Sequence, residues 1–341
     1  MRLLFFITKP YSLPILEPIK NYCLKRKELE VAWFKAGSAS SLSINGKVLT
    51  NTDEVIDYKP DAVIVPGNVV PDFWPGIKVQ IFHGLCEEKK GHYDITGFFD
   101  LYCTPGPTMT EKFINLKKKY ETFLVKEIGW SKMDALYNVQ NIKEAKKRMG
   151  LNVKNKLILY APTFSPKYTS ADDLFSSIRN AQSFGYQWVA KFHDLEKKDT
   201  INKYETIQSD LFHISTEIDI LPLMMAADLL ITDTSSVAYE YLILDRPIIT
   251  YQANTRIEKG IDIMDPDDLI GAITRSIEDP SEYSYSRNEI LSDIHPHNDG
   301  LSSKRLINVI KEVLDSNELG QLKPKPRNWI RKKYIRSIVS K

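Results

Sequence analysis

Hydrophobic residues in the first half of the chain come in short unbroken runs, with little polar alternation inside them. Leu3–Thr8, Val31–Phe34, Ala62–Val65, Val79–Phe82 and Leu101–Thr104 are such runs, each bounded by polar, Gly or Pro residues. Runs of this kind read as strands buried on both faces, as in a parallel sheet covered by helices. Helical patterns fit between them, at Ile15–Glu30 and Pro107–Lys119. A polar helical stretch, Asn138–Met149, stops at Gly150, and a second series begins with Lys156–Tyr160. It continues through Trp188–Phe192, Leu211–Ile214, Leu229–Thr232 and Ile248–Tyr251. The pattern predicts an α/β fold of two Rossmann-like doubly wound domains facing a cleft, over residues 1–145 and 146–320.

Open α/β sheets bind ligands at the carboxyl ends of their strands, so the turns that follow the runs carry the candidate chemistry. These turns are His83-Gly84, Thr104-Pro105-Gly106-Pro107, Ala161-Pro162-Thr163, His193, and Thr234-Ser235-Ser236. His83, at a strand end, can take a proton from an attacking hydroxyl, because an imidazole titrates near neutral pH. A turn-capping histidine fits the same position. His193 can donate hydrogen bonds to a phosphate as charge builds on a leaving group, and Lys191, two residues earlier, adds positive charge or is simply solvated. Thr234, Ser235 and Ser236 lie between an apolar run and a helical pattern. They offer hydroxyls and backbone N–H groups to a phosphate, or an ordinary N-cap. Neither a GxGxxG nor a GxxxxGK[ST] pattern is present, which disfavours a dinucleotide dehydrogenase and a P-loop ATPase. Asp265 and Asp267 have the spacing of a Mg²⁺-phosphate site, but such pairs arise by chance among 44 acids and a turn or helix start is the stronger reading, so no cofactor is required and Mg²⁺ is possible without being indicated. Gly300 reads as a turn.

Composition adds the compartment and the tail. Of 341 residues, 43% are hydrophobic and 26% charged, as in a soluble enzyme. Cys23, Cys86 and Cys103 are odd in number, lie far apart and have no metal spacing, which fits a reducing cytoplasm. The apolar start, Met1–Thr8, is too short for a signal peptide, and no run nears the roughly 20 residues of a membrane span. Residues 323–341 hold eight Lys or Arg and no acid, leaving 38 basic against 44 acidic residues elsewhere. Residues 321–341 therefore read as a basic amphipathic tail. Ile330, Tyr334, Ile335, Ile338 and Val339 share a broad helical face, with Lys332, Lys333 and Arg336 mostly opposite. That is the pattern of a helix drawn to an anionic membrane surface on its cytoplasmic side, a disordered solubilising tail being the rival. Nucleic acid is not expected as a partner.

Taken together, these residues resemble the CDP-glycerol glycerophosphotransferase family of teichoic-acid polymerase type. The landmarks are His83-Gly84-Leu85, Thr104-Pro105-Gly106, Glu127 to Asp134, Tyr160 to Thr163, Lys191-Phe192-His193, Ile231 to Ser236, and Asp299-Gly300. The resemblance covers about His83 to Arg305 and rests on their order and spacing. It implies a glycosyltransferase-B fold and transfer of glycerol phosphate from CDP-glycerol to a hydroxyl of a surface glycan, releasing CMP. It further implies His83 as general base and His193 as a pyrophosphate contact. Thr234, Ser235 and Ser236 would hold phosphate oxygens, supported by Asp233, Thr163 and Lys191. Leu85, Asp194 and Thr234 stand where the family usually has Thr, Pro and Tyr, which leaves acceptor and alditol open. A nucleotide-sugar glycosyltransferase or epimerase, and a non-catalytic nucleotide-binding or membrane-scaffold protein, are the alternatives on the same fold.

Overall fold

A computed structural model of the protein describes residues 1–86, 90–137 and 142–339. The chain divides into two units, Met1–Ala135 with Asp293–Lys341, and Leu136–Ser292. The sequence pattern placed the boundary ten residues later and gave residues up to 320 to the second domain. The difference arises because the helices after Asp293 bury their apolar faces in the first unit, a fact that helical periodicity does not encode.

The first unit holds the strands β1 (Arg2–Ile7), β2 (Glu30–Lys35), β3 (Lys47–Leu49), β4 (Ala62–Val65), β5 (Ile77–Gln80), β6 (Leu101–Thr104) and β7 (Leu124–Glu127). They form one sheet in the order β3-β2-β1-β4-β5-β6-β7, every pair parallel. The register sets Leu3 beside Val31 and Ala62, and Val79 beside Leu101. Both sheet faces are covered, and Phe6, Phe34, Trp74, Tyr102 and Phe113 lie in the core of one of them.

The second unit holds β8 (Leu157–Tyr160), β9 (Gln187–Ala190), β10 (Phe212–Ile214), β11 (Leu229–Thr232), β12 (Ile248–Tyr251) and β13 (Ile261–Ile263), again all parallel, in the order β10-β9-β8-β11-β12-β13. Its core centres on Tyr160, Trp188, Tyr204 and Phe212. In each sheet the strand order reverses direction once, between β1 and β4 and between β8 and β11, which is where doubly wound folds bind ligands.

Three strands were not legible as apolar runs: β3, β7 and β13. Each is a short edge strand containing Lys, Glu or Asp, and an exposed edge tolerates or favours such charges. The expected strand Val79–Phe82 stops at Gln80, because Phe82 takes a left-handed backbone (φ 59). The expected helix Ile15–Glu30 runs instead from Leu13 to Leu24, and Glu30 opens β2. The polar helix expected at Asn138–Met149 is a helix over Ile142–Arg148, and its first four expected residues lie outside the described ones.

Candidate active site

In the second unit, β8 and β11 lie side by side at the switch point, and the turns after them are tied together by Asp233. Its carboxylate, 1% exposed, accepts from Thr163 N (2.9 and 3.1 Å), Ser170 N (2.9 Å), Ser170 Oγ (3.1 Å) and Ser235 N (3.2 Å). One buried side chain thus fixes both the loop beginning at Thr163 and the Thr234-Ser235-Ser236 turn. Burial raises its pKa to about 6, against the pull of these donors. Behind it, Tyr160 Oη lies 2.9 Å from Ser170 Oγ, and Thr232 Oγ1 donates to Ala161 O (2.6 Å). Thr163 and the three hydroxyl residues from Thr234 to Ser236 are all partly exposed. The helix they open is short, Val237–Tyr241 followed by a tighter turn at Leu242–Leu244. Its macrodipole is correspondingly small, so the attraction this turn could offer an anion would come mainly from its hydroxyls and local N–H groups.

His193 lies three residues past the end of β9 and is exposed. Its Nδ1 accepts from Leu195 N (3.1 Å), which fixes the proton on Nε2 of the neutral ring. The Phe164 ring covers it at 4.3 Å between centroids. Phe164 follows Thr163, so the loop held by Asp233 also carries the face of His193. Because β9 ends at Ala190, strand alternation does not set the direction of Lys191. Its Nζ donates to Phe192 O (2.9 Å) and lies 3.9 Å from Asp194. Burial lowers its pKa.

In the first unit, His83 follows the left-handed Phe82 beyond β5. A bulky residue with positive φ is strained, and it persists only where its surroundings hold it. Phe82 O accepts from the buried Trp130 Nε1 (3.1 Å), and its ring packs edge-on against Phe113 at 5.0 Å. Half-buried His83 meets His92, 2% exposed, with Nε2 atoms 3.4 Å apart and rings at 85°. Tyr11 flanks it at 5.7 Å. His92 escaped the sequence reading because it does not follow a strand. Its place beside His83, nine positions away, is a contact that no local pattern encodes.

The remaining landmarks have a different role. Gly106 lets the backbone of Ile294 pass, where a Cβ would meet the carbonyl oxygen at 2.3 Å. Gly129 (φ 84) does the same for Ser302, whose Oγ would lie 2.4 Å from a Cβ. Trp130 N donates to His295 Nε2 (3.0 Å), and burial lowers the pKa of that imidazole to about 4, which keeps it a neutral acceptor. Asp134 accepts from Ser302 N and Ser303 N (2.9 and 2.7 Å) at the start of the helix Ser302–Asp315. Glu127 Oε1 lies 3.1 Å from His297 Nε2 and its carboxyl pKa falls through that contact. Asp299 and Arg305 pair, and Gly300 (φ 66) turns the chain between them. The landmarks Thr104-Gly106, Glu127-Asp134 and Asp299-Gly300 therefore form a clasp that fastens the returning segment to the first unit.

Asp265 accepts from Asp267 N (2.9 Å), the turn geometry anticipated as the alternative to a metal pair. Among the described residues no group of three or more His, Cys, Asp or Glu side chains is placed to hold a metal ion.

The family model for CDP-Glycerol:Poly(glycerophosphate) glycerophosphotransferase matches residues 87–312, and the chain belongs to that family. It is 28% identical over 234 residues to the teichoic acid glycerol-phosphate primase of Bacillus subtilis (strain 168), covering 62% of this chain and 58% of that protein. It is 30% identical over 166 residues to a teichoic acid poly(glycerol phosphate) polymerase of Bacillus spizizenii (strain ATCC 23059 / NRRL B-14472 / W23), covering 45% and 41% respectively. The chain spans about half the length of the curated relatives it matches. Among solved structures, the wall teichoic acid polymerase TagF superposes with a TM-score of 0.71 at 18% identity, over 92% of this chain and 89% of that one. A UDP-GlcNAc 2-epimerase from Neisseria meningitidis, bound to UDP-GlcNAc, gives 0.64 at 15% identity over 92% and 100%. The fold is of the glycosyltransferase-B type.

Proposed function

We propose that the protein transfers glycerol phosphate from CDP-glycerol to a hydroxyl of a teichoic-acid or capsule-type glycan. The reading rests on family membership, and one observation carries the site: Asp233 binds the Thr163 loop and the Thr234–Ser236 turn into a single hydroxyl-rich rim at the switch point. In the proposed reaction the acceptor oxygen attacks the glycerol-bearing phosphorus while its proton passes to His83. The bond from that phosphorus to the bridging oxygen breaks, and CMP leaves with the electron pair. The proton on Nε2 of His193 and the hydroxyls of Ser235 and Ser236 meet the charge that grows on the phosphate oxygens. Thr234 and Lys191 border the same turns. The Lys191 ammonium already donates to Phe192 O, and burial lowers its pKa.

Replacing His83 with Ala should reduce CMP release by about 10²–10⁴-fold while CDP-glycerol binding, followed by calorimetry, stays unchanged. Near-wild-type turnover would remove His83 as the base. Running CDP-glycerol, CDP-ribitol and UDP-sugars side by side, with mass measurement of the product, tests the donor. Release of UDP alone would refute the reading.

A further inference from the structure

In the first sheet β1 and β5 are the two neighbours of β4. Tyr11 follows β1 and His83 follows β5, and their rings lie 5.7 Å apart at 39°. The two turns therefore converge across the carboxyl end of β4, at the switch point of the sheet. Two residues past the end of β4, Gly67 leaves room, with no described atom within 4 Å of where its Cβ would stand. His92 packs edge-on against His83 at 4.6 Å, so the imidazole is held between His92 and Tyr11.

The backbone at Tyr11 is fixed on both sides. It lies in one tight turn, Pro10–Ser12, closed by Ser12 N donating to Lys9 O (3.1 Å). Pro10 sets the dihedral before it, and the residue after it, Ser12, is buried. The helix Leu13–Leu24 follows at once and sinks Ile15 and Leu16 into the unit, where Ser131 Oγ donates to Ile15 O (2.7 Å). Yet the Tyr11 side chain stays 38% exposed. Partial burial raises its pKa, so it remains a neutral phenol that can donate to a hydroxyl. A large aromatic ring held rigid and half in water, beside the proposed base, is a surface for an amphipathic ligand. Tyr11 lies outside the residues 87–312 that match the family, so membership assigns it no role.

We propose that Tyr11 is the platform for the acceptor and that the acceptor ends in a pyranose ring, whose C–H face lies on the Tyr11 ring while one of its hydroxyls reaches His83. The proposal rests on the reading of His83 as the base in glycerol phosphate transfer. A pyranose carries C–H groups on a face broad enough to cover an aromatic ring and hydroxyls around its edge, so one orientation satisfies both neighbours. An open-chain polyol phosphate has no such face, and a neutral phenol offers its charge nothing. Such an acceptor would depend instead on a cation, and the exposed Lys9 at the head of the same turn is the one to test.

The test needs no turnover. Saturation-transfer NMR on the full chain would compare wild type, Tyr11→Phe, Tyr11→Ala and Lys9→Gln. The probes are a panel of methyl hexopyranosides and methyl N-acetylhexosaminides, with glycerol 3-phosphate as the open-chain rival. Wild type and Tyr11→Phe should bind at least one pyranoside, with saturation strongest on the C–H protons of one ring face. Tyr11→Ala should bind that pyranoside about tenfold more weakly at an unchanged Tm, and Lys9→Gln should bind it as wild type does. Equal binding by Tyr11→Ala would overturn the proposal. So would a wild type that binds none of the pyranosides, or that binds glycerol 3-phosphate more tightly than all of them. Failure of the transfer reading shows separately, as no CMP release from CDP-glycerol by wild type, and leaves the binding result standing.

Discussion

Asp233→Asn is the substitution whose consequence can be worked furthest. The carboxylate is buried, and its pKa lies at about 6 in place of the ordinary 3.8. Below pH 4 the acid is protonated in both folded and unfolded chains and contributes no pH dependence. Between pH 4 and 6 the folded chain holds a proton that the unfolded chain has lost. Stability through this group therefore falls as pH rises, and above pH 6 the loss is complete. A displacement of about two pH units corresponds to about 3 kcal/mol. Asn does not titrate, so the stability of wild type minus that of Asp233→Asn should fall by about 3 kcal/mol from pH 4 to pH 7. Taking the difference cancels every other group that titrates alike in the two proteins. Urea titrations at several pH values would measure it, with hydrogen–deuterium exchange of the segments 157–171 and 229–241 reporting the second unit. A difference that stays flat, or rises with pH, would refute the reasoning. It would mean that the donors from Thr163, Ser170 and Ser235 outweigh the burial of the charge.

Two further predictions follow from the first unit. His92→Ala should lower kcat about tenfold without moving the KM for CDP-glycerol, and His92→Gln should recover part of the loss. A change in KM alone, or no recovery, would show that His92 does not position His83. Ile335→Ala empties a fully buried site beneath the C-terminal helix and should cost about 3 kcal/mol in urea denaturation. A loss below about 0.5 kcal/mol would mean that the helix is not part of the core.

The central strands were readable because burial on both faces demands unbroken apolar runs, as at Ala62–Val65 and Leu229–Thr232. The edge strands were not, because charged residues interrupt their short runs and find partners beyond them, as Glu127 does in His297 and Asp262 in Thr250. The candidate residues at strand ends were also accessible, since parallel strands place all their carboxyl ends along one edge. The sequence did not disclose how those residues are held. Asp233 reaches Ser170 across 63 positions, and His92 meets His83 nine positions away, so neither pairing leaves a periodic trace. The tail shows the opposite failure. Its periodicity was real, but one apolar face was assigned to membrane when the helix, Trp329–Val339, divides it, with Ile335 and Val339 in the core of the first unit and Ile330 and Tyr334 exposed.

The return of residues 293–341 to the first unit makes Leu136–Ser292 an insertion within it. A ribosome would deliver the whole of the inserted unit before the pieces that complete its host. Until then Gly106, Gly129, Trp130 and Asp134 face the empty seat of Ile294, Ser302 and His295, and the pocket for Ile335 is open. The second unit can reach its native state during synthesis, whereas the first must wait until residues 293–341 have emerged, exposing part of its core meanwhile. A released chain ending at Ser292 should accordingly yield a protease-resistant second unit attached to a protease-sensitive first one.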